Sequence, residues 1–203
     1  MNKKILFSAL LLAACDSTPV QPALSTAPLA GAAIGGDFSL TDQDGKKRTY
    51  AEFDGKYRIV YFGYTNCPDI CTPDVQNLMA GLKAFEKDQP ALATKIQPIF
   101  ITVDPQRDTS AVLKQFTGAF HPRLIGLTGS EAEIAAAAKK FAVYHARVEG
   151  SQPDAYLMSH SQQPYLMAPD GKPLVILPAD QPKTEANEGA PALVTAELAK
   201  WVR

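Results

Sequence analysis

Residues 61–73 read YFGYTNCPDICTP, an apolar run that ends in two cysteines four positions apart. The segment Arg58–Tyr64 is rich in β-branched and aromatic residues, which predicts a buried strand. Behind the cysteines, Thr72 is suited to cap a helix and Pro73 to occupy its first position. The apolar residues that follow recur at helical spacing, and they are Val75, Leu78, Met79, Leu82 and Phe85. The two cysteines are therefore predicted to lie in a strand-to-helix loop.

Cys67 and Cys71 are candidates for metal binding and for thiol chemistry, because a helix N-terminus favours the thiolate over the thiol. Two thiolates about one helical turn apart can bind one soft ion, and Cu(I) is the ion that such ligands favour most clearly in an oxidising compartment. The same pair can close a disulfide, either a redox-active one or a static structural one. A strand-to-helix loop argues against a static cross-link, which stabilises more when it closes a longer loop.

Strands and helices are predicted to alternate along the rest of the chain. Hairpins are predicted for residues 38–40 with 47–50 and for 165–168 with 173–177, and strands for 99–103 and 124–127. Three helices are predicted: a short one capped by Asp108 or Thr109, one with a Ser130–Glu133 capping box that ends near Phe141, and one over residues 191–202. Pro98 predicts a bulge or a strand start. This order predicts an α/β fold with parallel crossovers, in which helices flank a central mixed β-sheet.

Three stretches of the chain carry a resemblance to a known family. The sequence YFGYTNCPDICTPD resembles the copper site of the Sco/SenC proteins, which are thioredoxin-like copper chaperones of cytochrome c oxidase assembly. Residues 102–109, TVDPQRDT, resemble the second signature of that family, and His160 with the later residues 168–171, APDG, resembles the third. The likeness runs in order over about residues 34–178. It implies a thioredoxin-like domain over residues 34–203.

The resemblance also selects one of the three histidines. From the residues alone, His121, His145 and His160 are equivalent candidates for a ligand or for a hydrogen-bonded residue. Only His160 occupies the position of the family's third ligand, where it implies a metal site together with Cys67 and Cys71. A Cys₂His set suits Cu(I) and tolerates Cu(II) through the imidazole, so the expectation is one copper ion per chain.

The sequence departs from the family pattern at two positions. Ser159 stands where many members have Asp, and Thr72 stands where the second cysteine is usually followed by Pro. The first change removes a carboxylate that would orient the histidine ligand, so we expect it to affect the affinity for copper and the preference for Cu(II).

Charged residues near the predicted site have simple alternative roles. Asp69 and Asp74 flank the thiols and are interpreted as solvated acids at a helix start, with acid–base chemistry or metal binding as the alternatives. Asp104 and Arg107 are predicted to form an ion pair that orders their loop. The methionines are spaced as core or strand residues, not as a copper-binding cluster, and they are Met79, Met158 and Met167.

The N-terminus has the pattern of a bacterial export signal. Residues 1–14 combine a basic start with an apolar segment that is too short to cross a membrane, which predicts a signal peptide. The ending Leu-Ala-Ala-Cys resembles a lipobox, which implies lipidation of Cys15, and ordinary cleavage near Ala14 is the alternative. Asp16 resembles an inner-membrane retention signal. Residues 15–33 have the composition of a flexible tether, with a reach on the order of 50 Å.

The net charge and the number of cysteines reduce the set of possible functions. The formal charge of −1 and the pI near 6.3 argue against binding to nucleic acid, and they give no support for an electrostatic membrane patch. With Cys15 lipidated, the three cysteines leave one pair and no odd thiol.

The resemblance implies a monomeric metallochaperone on the periplasmic face of the inner membrane, which receives copper from a periplasmic donor and delivers it to the dinuclear copper site of cytochrome c oxidase. A thiol-disulfide reductase that uses Cys67 and Cys71 is the alternative.

Overall fold

The computed structural model describes residues 21–67, 71–150, 155–180 and 187–203. Within these residues the strands and helices are β1 (Ser39–Asp42), β2 (Lys47–Thr49), β3 (Tyr57–Gly63), α1 (Cys71–Asp88), α2 (Pro90–Ala93), β4 (Ile96–Thr102), α3 (Ser110–Phe120), β5 (Ile125–Thr128), α4 (Glu131–Lys140), β6 (His145–Val148), β7 (Leu157–His160), β8 (Tyr165–Met167), β9 (Pro173–Ile176) and α5 (Pro191–Trp201). Short 3-10 helices cover Leu24–Thr26 and Tyr50–Phe53.

Seven of the described strands form one mixed sheet in the order β2-β1-β5-β4-β3-β8-β9. The three central strands, β5, β4 and β3, are parallel to one another, and the outer pairs are antiparallel. This arrangement confirms the predicted α/β class and the thioredoxin-like sheet flanked by helices. The two remaining described strands form a separate antiparallel ribbon, β6–β7, which the sequence analysis did not predict.

Helices cover both faces of the sheet, so every residue of β3 and of β4 is buried. On one face the ring of Tyr61 lies 6.2 Å from Phe100, which lies 5.0 Å from Phe116 of α3. On the other face Phe62 lies 5.4 Å from Phe141, directly after α4. Successive residues of a strand point to opposite faces, so α3 and α4 lie on opposite sides of the sheet.

Helix α1 buries the predicted apolar residues against the sheet and α5. The close approach of the two helices requires a residue without a side chain at Gly81, because an added Cβ would lie 2.6 Å from Val194. The prediction that Thr72 caps this helix is wrong: α1 already includes Cys71, and Thr72 is an exposed residue of its first turn. The second cysteine is therefore part of a helix and not of a loop.

Helices α3 and α4 both begin at a residue whose side chain caps the helix. The Ser130–Glu133 capping box of α4 is confirmed. Of the two candidates for the cap of α3, Thr109 is the correct one, since its hydroxyl accepts a hydrogen bond from the N–H of Val112. Asp108 instead accepts hydrogen bonds from Thr65 and Thr102.

Pro98 neither starts β4 nor lies at a bulge, because the strand begins two residues earlier, at Ile96, and Pro98 pairs with Ile59 in regular register. A proline cannot donate a hydrogen bond to a neighbouring strand. Strand β5 pairs with β4 only from Ile99 onwards, so none of the described strands stands opposite Pro98 on that side.

Residues 21–33 contact the domain, which differs from the flexible tether that their composition predicts. The N–H of Leu29 donates to the carbonyl of Leu174, Gln21 donates to the carbonyl of Ala199, and Ala27 is buried. Leu24 and Leu29 also pack against the core. The segment therefore contacts the domain through hydrogen bonds as well as through apolar residues. The predicted signal peptide, Cys15 and the residues up to 20 lie outside the described residues.

Candidate metal centre

The loop that carries Cys67 leaves the sheet at the end of β3 and is fixed by a buried carboxylate. Asp108 accepts hydrogen bonds from the N–H of Thr65 at 3.0 Å and from its hydroxyl at 2.6 Å. The hydroxyl of Thr102, at the end of β4, donates to the same carboxylate at 2.6 Å. The loop is therefore held against the ends of β3 and β4, two residues before the first cysteine.

Cys67 and Cys71 lie side by side at the start of α1. The N–H of Cys71 donates to the sulfur of Cys67 at 3.4 Å, and the two residues are not joined by a disulfide in the structure. Cys71 is buried and Cys67 is half-buried. The sulfur of Cys71 packs above Gly63, where an added Cβ would lie 3.3 Å from it and 2.9 Å from Cε1 of Tyr61. A glycine at the end of β3 thus gives the second thiol its space.

His160 comes from the end of β7 and completes the group. Its Nδ1 lies 2.8 Å from the carbonyl oxygen of Ser161. Because a carbonyl can only accept, Nδ1 carries the hydrogen, and the lone pair of the neutral ring is on Nε2. This Nε2 lies 3.2 Å from the sulfur of Cys71. The ring also meets the edge of the Tyr64 ring at a centroid distance of 5.8 Å.

The structure brings the three predicted ligands together. The sulfurs of Cys67 and Cys71 and a ring nitrogen of His160 all lie within 4.8 Å of one another. Ligand atoms bind soft transition metals at a little over 2 Å, so three donors at this spacing can converge on one ion with small adjustments. Two sulfurs and one imidazole form a donor set suited to Cu(I) and Cu(II).

The protonation of Cys71 in the metal-free protein differs from the expectation for a helix N-terminus. The hydrogen bond with the side chain of Cys67 and the burial of the sulfur raise the pKa of Cys71 well above its usual value. Metal binding must therefore displace a proton from this thiol.

Asp74 is not the solvated acid that the sequence predicts. Its carboxylate is buried, and it accepts hydrogen bonds from the hydroxyl of Tyr61 at 2.9 Å and from the N–H of Asp180 at 3.2 Å. Burial raises its pKa to about 6. The prediction failed because Asp74 faces the sheet from the first turn of α1, whereas Asp69 lies outside the described residues.

The second signature holds the ion pair that the sequence predicts, since Arg107 Nε bonds to Asp104 Oδ2. The structure adds Tyr156, whose hydroxyl donates to Asp104 at 2.8 Å and whose ring lies 3.7 Å from the guanidinium of Arg107. Sequence reasoning missed Tyr156, and it assigned Asp108 only as a helix cap. The second acid of the motif DPQRD was the available signal for Asp108.

The other two histidines do not join the three-ligand group. Both ring nitrogens of buried His121 are engaged, Nε2 with Glu86 at 3.2 Å and Nδ1 with the N–H of Arg123 at 3.1 Å. His145 pairs with His160 in the β6–β7 ribbon and lines a neighbouring cavity of about 370 Å³. The methionines fit the core and strand positions predicted for them, with Met79 and Met167 buried and Met158 in β7.

Comparison with known proteins agrees with the class that these features define, a thioredoxin-like protein with a Cys₂His group. The SCO1/SenC family profile matches residues 26–195. The chain is 43% identical over 147 residues to a mitochondrial SCO2 homolog of Bos taurus, a match that covers 72% of this chain and 54% of the relative. The chain belongs to the SCO1/SenC family.

Solved structures of relatives have the same fold. Bradyrhizobium japonicum ScoI with copper bound is similar with a TM-score of 0.71 and 38% identity, over 84% of this chain and 100% of that chain. A SCO1/SenC family lipoprotein from Bacillus anthracis is similar with a TM-score of 0.64 and 26% identity, over 80% of this chain and 92% of that chain. The chain spans about half the length of the first curated relatives it matches. None of the helices in the described residues is long and apolar enough to cross a membrane.

Proposed function

We propose that this protein is a copper metallochaperone that carries one copper ion on Cys67, Cys71 and His160. The observation that supports this function best is the convergence of the three donor atoms within 4.8 Å of one another. A relative of the same fold has been solved with copper bound. Because copper is cargo in this function, the group must both hold it and release it.

The donor set allows both oxidation states. Two thiolates alone can hold Cu(I), whereas Cu(II) depends more strongly on the imidazole of His160. The family's usual Asp is replaced by Ser159, and the carbonyl of Ser161 now accepts the Nδ1–H of the ligand at 2.8 Å. A backbone carbonyl fixes the ring tautomer as a carboxylate would, but without its negative charge. We therefore expect the ring to keep its orientation and to be a less basic ligand.

The proposed recipient is the copper-site subunit of cytochrome c oxidase, which binds two copper ions. The Sco family is linked to the assembly of this oxidase. Cys67 is half-buried while Cys71 is buried. A partner's ligand can therefore approach the ion from the side of Cys67, and a periplasmic donor can load it from the same side.

The proposed location is the periplasmic face of the inner membrane, with the protein anchored by lipid on Cys15 and acting as a monomer. A bacterial lipoprotein of the same family supports this. The reach from the membrane is shorter than composition predicts, since residues from 21 onwards contact the domain. The six residues 15–20 can span at most about 20 Å. The site would then approach a membrane-bound oxidase at close range.

Thiol-disulfide reduction is a second candidate, favoured by the unequal exposure of the two sulfurs. The half-buried Cys67 can attack a disulfide of a partner, forming a mixed disulfide and releasing one partner thiol. Cys71 then attacks Cys67, which releases the second partner thiol and leaves a Cys67–Cys71 disulfide. The partner gains two electrons and the chain loses two. This chemistry needs neither His160 nor a metal.

Copper content of the anaerobically reduced protein tests the first function. The wild type should bind one copper ion per chain, Cys67→Ser and Cys71→Ser should nearly abolish tight binding, and His160→Ala should weaken Cu(II) more than Cu(I). His145→Ala is the matched control, because it removes the opposite histidine of the same ribbon and should leave both affinities unchanged. Tight stoichiometric copper in the Cys67→Ser/Cys71→Ser double variant would disprove the assignment.

The His160→Ala variant distinguishes the reductase function from copper binding. Reduction of a disulfide peptide that carries the two cysteines of an oxidase copper site should proceed at the wild-type rate in this variant, although its Cu(II) affinity has fallen. A variant that loses both activities together would argue against an independent reductase function.

A further inference from the structure

The loop of residues 104–108 contacts the two segments that lead to the proposed ligands, at Thr65 before Cys67 and at Tyr156 before β7, and we call it the bracket loop. It follows β4 and precedes α3. Two backbone hydrogen bonds to the carbonyl of Asp104, from Arg107 at 3.2 Å and from Asp108 at 2.9 Å, make it a compact turn. The hydroxyl of Thr102 accepts the N–H of Asp104 at 2.9 Å, which ties the turn to the end of the strand.

Asp108, at one end of the bracket loop, holds the segment that leads from β3 to Cys67. The carboxylate of Asp108 is fully buried and receives the N–H and the hydroxyl of Thr65 together with the hydroxyl of Thr102. Hydrogen bonds to a carboxylate are stronger than those between neutral groups. Thr65 lies two residues before Cys67, so this contact fixes the approach to the first sulfur.

The other end holds the ribbon that carries His160. Asp104 accepts the hydroxyl of Tyr156 at 2.8 Å and pairs with Arg107. Arg107 in turn donates to the carbonyl of Tyr156 at 3.0 Å and lies 3.7 Å from the centroid of its ring. The guanidinium of Arg147, on β6, lies 3.8 Å from the same ring. Tyr156 directly precedes β7, whose last residue is His160.

These side-chain contacts matter because the β6–β7 ribbon pairs with no strand of the main sheet among the described residues. A two-stranded ribbon is marginally stable by itself in water. Backbone pairing across β6 and β7 sets the shape of the ribbon but not its position relative to the cysteines. That position depends on contacts such as those of Tyr156 with the bracket loop.

We propose that Tyr156 is a positioning residue for copper binding: its contacts with Asp104 and Arg107 place His160 within reach of the sulfurs that Asp108 fixes from the same loop. This inference rests on the proposed function. The loop thereby joins two segments that are far apart in sequence. Because the ring nitrogen of His160 is already held near the two sulfurs, its ordering on copper binding costs little entropy. Removal of a partner that orients a ligand typically lowers metal affinity about 10- to 100-fold.

The experiment is a double-mutant cycle of Tyr156→Ala and His160→Ala, with Cu(II) affinity measured by competition with a chelator. Tyr156→Ala should lower Cu(II) affinity at least about 10-fold when His160 is present. In the His160→Ala background the same change should have less than about a twofold effect. Tyr156→Phe keeps the ring stacked on Arg107 and loses only the hydroxyl, so it should restore part of the affinity.

Tyr144→Ala is the matched control, because Tyr144 precedes the same ribbon and its side chain is 62% exposed. It should leave the affinity unchanged. A readout without metal accompanies the cycle: amide hydrogen exchange of β7 in the copper-free protein should be faster in Tyr156→Ala than in the wild type or Tyr144→Ala. The Tyr156→Phe variant keeps the test decisive if the alanine variant does not fold.

The outcomes distinguish this inference from the proposed function. If His160→Ala alone leaves Cu(II) affinity unchanged, His160 is not a ligand, and both the proposed ligand set and the inference are wrong. If His160→Ala has its expected effect but Tyr156→Ala lowers affinity equally in both backgrounds, or in neither, then only the inference is overturned.

Discussion

Nε2 of His160 lies 3.2 Å from the sulfur of Cys71, although 89 positions separate the two residues in the chain. The sulfur belongs to the first turn of α1, and the ring belongs to the end of a ribbon outside the main sheet. The metal centre is therefore formed between two parts of the fold. The spacing of the two cysteines is local, whereas the loop before Cys67 is held by Asp108, 43 positions away from Thr65, and His160 is brought in by the ribbon.

A redox gate on copper loading follows from the adjacency of Cys67 and Cys71. A disulfide between them removes both thiolates, so the oxidised protein should bind Cu(I) far more weakly than the reduced protein. The measurement is a Cu(I) titration against a competing chelator before and after reduction, with alkylation to count the thiols. Equal affinity in the two redox states would mean that the cysteines are not the principal ligands.

Substitution Gly63→Ala should affect both stability and the second thiol. The added methyl would lie 2.9 Å from Tyr61, 3.1 Å from Phe100 and 3.3 Å from the sulfur of Cys71. Overpacking of this kind costs about 1 to 3 kcal/mol. We expect a loss of that size in urea-induced unfolding, together with weaker Cu(I) binding because the sulfur must move.

The control for this substitution is Gly118→Ala in α3, where an added Cβ meets nothing within 4 Å. Alanine is favoured over glycine inside a helix by about 0.5 to 1 kcal/mol, so this variant should be slightly more stable than the wild type. Unchanged stability and Cu(I) affinity in Gly63→Ala would show that the pocket above residue 63 can relax.

Lipidation of Cys15 is tested by cell fractionation of the Cys15→Ser variant. Acyl chains, and not the polypeptide, are expected to hold the protein at the membrane. The variant should therefore appear in the soluble periplasm or accumulate as an unprocessed precursor. Membrane fractionation like that of the wild type, in a variant whose signal is correctly cleaved, would count against a lipid anchor.

The main elements of the fold were predictable because their signals are local. The apolar run of β3, the helical spacing in α1 and the Ser130–Glu133 capping box each lie within a few residues, and each is present in the structure. The alternation of strands and helices then predicts the parallel centre of the sheet. These patterns depend only on periodicity and on capping chemistry.

The β6–β7 ribbon was not predictable by the same means. Its residues are half-buried or exposed, and Arg147 in β6 and Ser159 in β7 interrupt any run of apolar residues. Position 160 could be chosen as a ligand only by resemblance, because its partners Tyr64 and Cys71 are far away in the chain. Tyr156 was missed for the same reason, since its partner Asp104 is 52 positions away.

Asp74 shows that the position of an acidic residue within a helix does not by itself predict whether its side chain is buried. Acidic residues in a first turn are usually solvated and interact favourably with the helix dipole. Here the first turn of α1 faces the sheet, and the hydroxyl of Tyr61 satisfies the carboxylate instead of water. A buried carboxylate of this kind gives a specific dependence of stability on pH.

The pKa of Asp74 is raised from 3.8 to about 6, chiefly by burial. The folded state therefore retains a proton that the unfolded state has already lost between these pH values. The contribution of this group to stability is fully present below about pH 4 and is lost as the pH rises through about 6. The corresponding change is on the order of 3 kcal/mol. Asp74→Asn keeps an acceptor for Tyr61 but cannot ionise, so it should not show this loss.

The test compares urea-induced unfolding of the reduced, copper-free wild type and of Asp74→Asn between pH 4 and pH 7. Relative to the variant, the wild type should become less stable as the pH rises through this range. His121 and His145 act in the opposite direction, because burial lowers their pKa values and stability falls when they must protonate. Both proteins share these histidines, so their effect cancels in the difference. A difference in unfolding free energy that is constant from pH 4 to pH 7 would show that Asp74 titrates alike in the folded and unfolded chains.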